Sequence, residues 1–338
     1  MPHSEKGATP RAFPLPQRFR DESHRFHDIA QPSRSPCPCP GRVHHLPHAF
    51  SADGVVDEAS IATLVEFQIE AGVAGLAILG FLGELHKLSG LERQQVIRAF
   101  VAQAAGRVPV WVGVRALGIA GAIEQAREAE SMGAAAVFVA PLDKAGDAQQ
   151  FEYYRLVAQA VSIPVVIHDF PDSFGTEISA ELVARLGREG GVHMIKMEEP
   201  PVGPKISRIL SLAEGRMKVF GGLGGVYFLE ELERGAAGTM TGFAFPEILV
   251  RIYRHYAAGD VAAAAATFDR YCPLIRYEFQ PKLGLALRKY TYVKRGVIAN
   301  DFVRAPGMRM DPITARELEA TVARVGLSLA QRGVFHVD

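Results

Sequence analysis

Cysteine is scarce in this chain of 338 residues: Cys37, Cys39 and Cys272 are the only three. The first two sit in a proline-rich stretch with no second ligand pair at usable spacing, so neither a disulfide framework nor a zinc site is expected. Net charge is missing too. Lys plus Arg and Asp plus Glu are 37 each, which leaves no field to draw in nucleic acid or an anionic membrane. No apolar run reaches the roughly 18 residues of a membrane span, and the N-terminus lacks the apolar core of a secretory signal. A cytoplasmic place and a small-molecule partner are therefore expected, with no nucleic acid and no membrane. Apolar residues make up 48% of the chain, ample for a large buried core.

Residues 1–40 are rich in Pro, Arg, Ser and His without apolar periodicity, and Ser35-Pro36-Cys37-Pro38-Cys39-Pro40-Gly41 suits neither a helix nor a central strand. They read as a disordered N-terminal extension. Beyond them, short apolar runs alternate with amphipathic stretches, the pattern of repeated βα units. Strands are expected at 73–79, 108–114, 134–140, 163–168, 193–197, 217–221 and 236–241. The first must be 42–47, a poor strand because His44 and His45 interrupt it. Helical periodicity falls at 57–71, 90–105, 118–132, 148–161, 178–188, 204–213, 226–234 and 245–258. This alternation predicts an α/β fold, a closed (β/α)8 TIM barrel over 41–258. A C-terminal helical region over 259–338 carries helices at 260–271 and 282–294. No Gly-x-Gly-x-x-Gly turn follows the first strand, which weighs against dinucleotide binding.

The chemistry concentrates in His193-Met194-Ile195-Lys196-Met197-Glu198-Glu199-Pro200-Pro201. On a strand, Lys196 and Glu198 project to one face while Ile195 and Met197 face the other. A lysine amine desolvated by a barrel interior becomes a nucleophile toward a ketone, and Glu198 beside it can carry a proton. Barrel active sites lie at the C-terminal ends of the strands. Those ends carry Gly80-Phe81-Leu82-Gly83-Glu84, Arg115, Pro141-Leu142-Asp143, His168-Asp169-Phe170-Pro171, Gly221-Gly222-Leu223-Gly224-Gly225 and Thr239-Met240-Thr241-Gly242. His168 titrates near neutrality and suits acid–base work. Arg115 is a candidate carboxylate clamp. Asp143 and Thr241 are further candidates for holding substrate. The glycines after strands seven and eight also fit a phosphate-binding barrel, and a catalytically silent metabolite-binding barrel is the third alternative.

These residues together resemble the dihydrodipicolinate synthase/N-acetylneuraminate lyase family over about residues 42–326. The likeness rests on Gly80-x-x-Gly83-Glu84, Ile163-Pro164-Val165-Val166-Ile167-His168-Asp169-Phe170-Pro171, Ile195-Lys196 and Phe220-Gly221-Gly222. It implies a class I lyase that holds a 2-oxo acid as an imine on Lys196, with Gly80, Phe81, Leu82, Gly83, Gly221 and Gly222 about the substrate. No cofactor is implied, since the imine is itself the electron sink. A homo-oligomer, tetrameric by resemblance, is implied as well. The departures are specific. Phe81 and Leu82 stand where the synthases have Thr-Thr, Leu142 and Asp143 where they have Tyr-Tyr, and His168 where they keep a relay tyrosine. Their arginine after strand five falls in Asp172-Ser173-Phe174. A true dihydrodipicolinate synthase is therefore not expected. The branch of 2-keto-3-deoxy-L-arabinonate dehydratases is closer, sharing Lys-x-Glu on strand six. It implies a dehydratase or aldolase of a 2-keto-3-deoxy sugar acid, with Glu198 as acid–base. The hydroxyl residue that this branch has after strand one has no counterpart in Pro47-His48-Ala49-Phe50.

Overall fold

A parallel strand covered on both faces must be apolar nearly throughout, and most strand positions of this chain obey that rule, with His45, His168, Asp169 and Thr241 among the polar residues at the C-terminal ends. The eight strands are β1 (Gly41–His45), β2 (Gly75–Ile78), β3 (Val110–Val114), β4 (Ala136–Val139), β5 (Val165–Asp169), β6 (Met194–Met197), β7 (Lys218–Gly221) and β8 (Gly238–Thr241). The computed structural model describes residues 41–335 and 337. All eight strands pair in parallel in sequence order, and β8 closes back on β1. The expectation of disorder over 1–40 falls outside the described residues.

The first strand forms at Gly41–His45, where 42–47 was expected, and its histidines do not interrupt it. β1 is paired on both sides, with Val43 opposite Gly75 and Met240. Its two histidines are absorbed separately. His44 Nε2 accepts the Phe243 amide at 3.2 Å on the outer side. His45 lies edge-on to Phe138, with ring centroids 4.9 Å apart.

Between the strands run α1 (Glu58–Glu70), α2 (Gly90–Ala104), α3 (Ile119–Ser131), α4 (Asp147–Ala160), the short α5 (Pro171–Phe174), α6 (Ala180–Arg185), α7 (Val202–Leu212), α8 (Phe228–Glu233) and α9 (Pro246–Ala257). Their starts are set by local chemistry. Asp57 caps α1 by accepting the Ser60 amide, and Ser89 with Glu92 forms a reciprocal capping box on α2. Beyond the barrel come α10 (Val261–Glu278), α11 (Gly284–Lys294) and α12 (Pro312–Arg324). α10 outruns its expected end at 271, passing through Pro273. A proline inside a helix costs about 3 kcal/mol, but Leu274, Ile275 and Glu278 beyond it are all buried, and their packing outweighs the loss.

The barrel interior is plugged by Val43, Ala77, Trp111, Ala136, Phe138, Val166, Met194, Phe220 and Met240. Trp111 and Phe220 meet edge to face at 5.7 Å. Burying each large side chain of this layer stabilises the fold by roughly 2–3 kcal/mol. The layer also forms the floor on which the polar residues at the strand ends stand. Among the described residues no helix is long and apolar enough to cross a membrane.

Candidate active site

Register brings the site together. His168 on β5 stands opposite Lys196 on β6, and Lys196 stands opposite Phe220 on β7. Met194 belongs to the interior plug, whereas Ile195 and Met197 pack outward in the larger core. The twofold alternation of the strand therefore turns Lys196, and Glu198 just past the strand end, into the barrel, as its sequence requires. The Lys196 amine forms an ion pair with Glu198 and lies 3.2 Å from His168 Nε2, which is itself 3.5 Å from the Glu198 carboxylate. All three side chains are buried.

Burial lowers the Lys196 amine below the usual lysine range, against the opposing pull of Glu198. Burial alone would raise Glu198, but the Lys196 charge and the His168 contact outweigh it and hold the carboxyl at about 2. His168 is pushed down to about 4, first by burial and then by the Lys196 charge, so its ring is neutral at pH 7. A lysine beside an anionic carboxylate and a neutral imidazole can shed its proton and attack a carbonyl.

Glu198 is held from behind. Its Oε1 accepts the Leu223 amide at 2.9 Å. A Cβ on Gly222 would lie 2.3 Å from Glu198 Cγ, and one on Gly221 would lie 1.7 Å from Glu231 Oε2. The glycines after β7 thus make room for two carboxyls of this chain. An anion already occupies the amide of that loop, which weighs against the phosphate-binding alternative. Thr241 does not line the chamber: its hydroxyl accepts the Gly224 amide at 2.8 Å and braces the same loop.

The opposite rim is aromatic. Phe174, Phe138, Phe170 and Phe81 have ring centroids 5.0, 5.4, 6.4 and 6.4 Å from that of His168. Arg115 lies over Phe81 and Phe174 at 5.5 and 5.3 Å, without a carboxylate partner among the described residues. Gly80 lets His45 approach, since a Cβ there would be 2.8 Å from His45 Nδ1. Leu82 crosses the mouth to Gly242, where a Cβ would meet Leu82 Cδ1 at 2.3 Å. Gly83 backs onto His48, whose Nε2 accepts the Leu79 amide at 3.2 Å. His48 is therefore a buried brace and does not supply the hydroxyl missing after β1.

Two expectations change. Asp143 is exposed and neither joins the chamber nor caps α4, whose N-cap is Gly146. His45, read from sequence only as a strand interrupter, faces the chamber with a buried Nε2 that has no hydrogen-bond partner among the described residues. Its centroid lies 6.1 Å from that of His168, and burial followed by the Lys196 and His168 charges keeps it neutral. Strand parity could have found it, because His45 is two residues beyond the inward Val43.

A closed parallel barrel with a buried lysine, carboxylate and imidazole at the C-terminal ends of β5 and β6 has the architecture of a (β/α)8 enzyme. The chain belongs to the dihydrodipicolinate synthetase family, which it matches over residues 41–325, and it is a lyase. It is 32% identical over 287 residues to the L-2-keto-3-deoxyarabonate dehydratase of Azospirillum brasilense, covering 83% of this chain and 92% of the relative. It is 31% identical over 232 residues to YjhH of Escherichia coli strain K12, named as a probable 2-dehydro-3-deoxy-D-pentonate aldolase, covering 67% of this chain and 77% of that protein. The crystal structure of dihydrodipicolinate synthase from Rhodopseudomonas palustris superposes with a TM-score of 0.80 at 32% identity, covering 85% of this chain and 98% of that one.

Proposed function

We propose that this protein is a class I lyase that holds a 2-oxo acid as an imine on Lys196. The observation that carries the reading is the mutual contact of Lys196, Glu198 and His168 in the barrel interior. The neutral amine adds to the C2 ketone, Glu198 takes up its proton, and loss of water leaves a protonated imine. That cation acidifies the C3 hydrogens. Removal of one by Glu198 or His168 gives an enamine, which expels the C4 hydroxyl as water in a dehydration. If the base instead takes the C4 hydroxyl proton, the C3–C4 bond breaks in an aldol cleavage. Hydrolysis of the remaining imine restores Lys196 in both cases.

The names of the two curated relatives support a 2-keto-3-deoxy sugar acid as the starting class, with a ketone at C2, a methylene at C3 and a hydroxyl at C4. Phe81 and Leu82 in the turn after β2 support a substrate other than that of the synthases, because neither side chain can donate a hydrogen bond. The guanidinium of Arg115, which has no carboxylate partner among the described residues, is the group best suited to the substrate carboxylate. A cytosolic homo-oligomer, a tetramer by likeness to the family, belongs to the same reading, and light scattering on the purified protein checks the assembly. Reduction with sodium borohydride in the presence of pyruvate should add a mass to the wild type that Lys196→Ala does not acquire. Absence of that adduct would sink the reading.

A further inference from the structure

The loop after β7 is gripped from two sides. Gly222, Leu223 and Gly224 turn three consecutive amides to side chains. Leu223 donates to Glu198 Oε1 at 2.9 Å, Gly224 donates to the Thr241 hydroxyl at 2.8 Å, and the Gly222 amide acts on the carboxyl of Glu231. Leu223 holds a φ of 47°, in the left-handed region that a leucine seldom adopts unless its surroundings fix it. The direction of its amide therefore depends on what holds the loop.

Strand parity sets the two carboxyls on opposite faces of that backbone. Phe220 belongs to the interior plug, so Gly221 faces out and Gly222 faces in. A Cβ on Gly221 would lie 1.7 Å from Glu231 Oε2, and one on Gly222 would lie 2.5 Å from Glu198 Oε1. Glu198 thus bears on the loop from within the barrel, and Glu231 bears on it from α8 behind.

Glu231 is buried, and among the described residues its carboxyl has no side-chain partner. Charges act on it from Glu198 past β6 and from Glu230 on its own helix, both negative. The elements packed about α8, which are β7, β8, α7 and α10, bring it no charge. β8 sets the Thr239 hydroxyl, likewise without a partner among the described residues, opposite Gly221. Burial raises Glu231 to about 8, so it is mostly a neutral acid at pH 7. A second anion there would hold protons on Glu198 and Lys196, whereas the imine requires a free amine.

We propose that Glu231 is a positioning residue for the lysine site, fixing the Gly222–Leu223 backbone from behind so that the Leu223 amide orients Glu198 for proton transfer. This rests on the imine reading above and adds a residue to it. Neutral, Glu231 leaves Glu198 as the anion that faces Lys196. Ionised, it works against the free amine.

The test follows deuterium entering the methyl group of pyruvate by proton NMR, beside borohydride trapping read by intact mass, with Lys196→Ala as background. Exchange needs the imine and proton transfer at C3, whereas trapping needs the imine alone. Glu231→Leu should keep the pyruvate adduct and lose about tenfold or more in exchange at pH 7. Glu231→Gln, which restores a neutral acceptor for the Gly222 amide, should recover most of that loss. Between pH 7 and pH 9 the ratio of the wild-type rate to the Glu231→Gln rate should fall by about three- to tenfold as Glu231 ionises. A purely structural carboxyl would leave that ratio flat. Wild-type exchange in folded Glu231→Leu, or a flat ratio, overturns the assignment and leaves the imine standing. The ratio decides alone where Glu231→Leu does not fold. No pyruvate adduct in the wild type sinks the imine and the positioning role together.

Discussion

Among the described residues, two lysine–glutamate pairs have both partners buried, and they are built differently. Lys289 on α11 donates to Glu84 at 2.6 Å and to the Phe302 carbonyl at 2.7 Å, and it sits over the Phe50 ring. Glu84 is equally full, accepting Lys87 and the Arg304 amide, both at 2.9 Å. Every strong partner of that pair is protein, so it clamps the C-terminal region to the turn after β2. Lys196 has Glu198 and a neutral imidazole, and it faces the chamber. Burial lowers Lys289 too, to about 8 against the pull of Glu84. A depressed lysine therefore does not identify the nucleophile. What separates the two is whether the amine has somewhere to put its proton and space in which to meet a carbonyl.

Replacing each lysine by methionine should split the two roles. Lys196→Met is expected to abolish borohydride trapping and lower turnover by roughly 10⁴-fold or more. Lys289→Met should keep trapping at Lys196 but lose about 3 kcal/mol of stability, because it strips a buried carboxylate of a partner. Urea melts beside trapping yields check both, and an undiminished adduct in Lys196→Met would reverse the assignment. Glu198→Gln comes next in size. The amide oxygen can still accept from the Leu223 amide, so the fold and the pyruvate adduct should persist. Turnover should fall by about 10²–10⁴-fold as the proton acceptor is lost.

Glu231 sharpens the contrast, because it is a buried carboxyl without a lysine. It has no side-chain partner among the described residues, and burial raises it from 4.5 to about 8, against the opposing pull of the Gly222 amide and with Glu198 adding repulsion. The sign follows from linkage. Between these values the unfolded chain ionises this group and the folded chain does not. Its stabilising contribution is thus full below pH 4.5 and lost as pH rises through about 8. Glu231→Gln should remove up to about 1.4 kcal/mol per pH unit of that slope. Denaturation at pH 5, 7 and 9 in both proteins reads it, and parallel curves would contradict it.

The barrel and its central pair were legible in the sequence for one reason: both depend on periodicity. Apolar runs mark strands buried on two faces, and the spacing of Lys196 and Glu198 puts them on one face whatever surrounds them. β1 was harder to read because His44 and His45 look unfavourable until their separate partners, the Phe243 amide and the Phe138 ring, are known. Of the aromatic groups around His168 only Phe81 was legible, through the family likeness. Phe138, Phe170 and Phe174 come from β4, the end of β5 and α5, and each alone reads as an ordinary core residue.

Asp143 provides the smallest expected effect and the cleanest check on that lesson. Its place at the end of β4, at a position where the synthases carry a tyrosine, made it a candidate from sequence. The structure turns its side chain to solvent, and the neighbouring Leu142 backbone is tied instead to the Gln150 amide group through both its N–H and its carbonyl, at 3.1 and 2.7 Å. A strand-end residue reaches the chamber only if strand parity and the following loop turn it inward. Inward parity on β4 belongs to Phe138, and the loop beyond Ala140 carries Asp143 outside. Asp143→Ala should therefore change kcat/KM by less than about twofold and stability by less than about 0.5 kcal/mol. Tyr154, by contrast, is buried with its hydroxyl on the Val139 carbonyl, so Tyr154→Phe should cost about 1 kcal/mol from beneath the same strand. A large kinetic loss in Asp143→Ala alone would mean that the β4 loop folds inward over bound substrate.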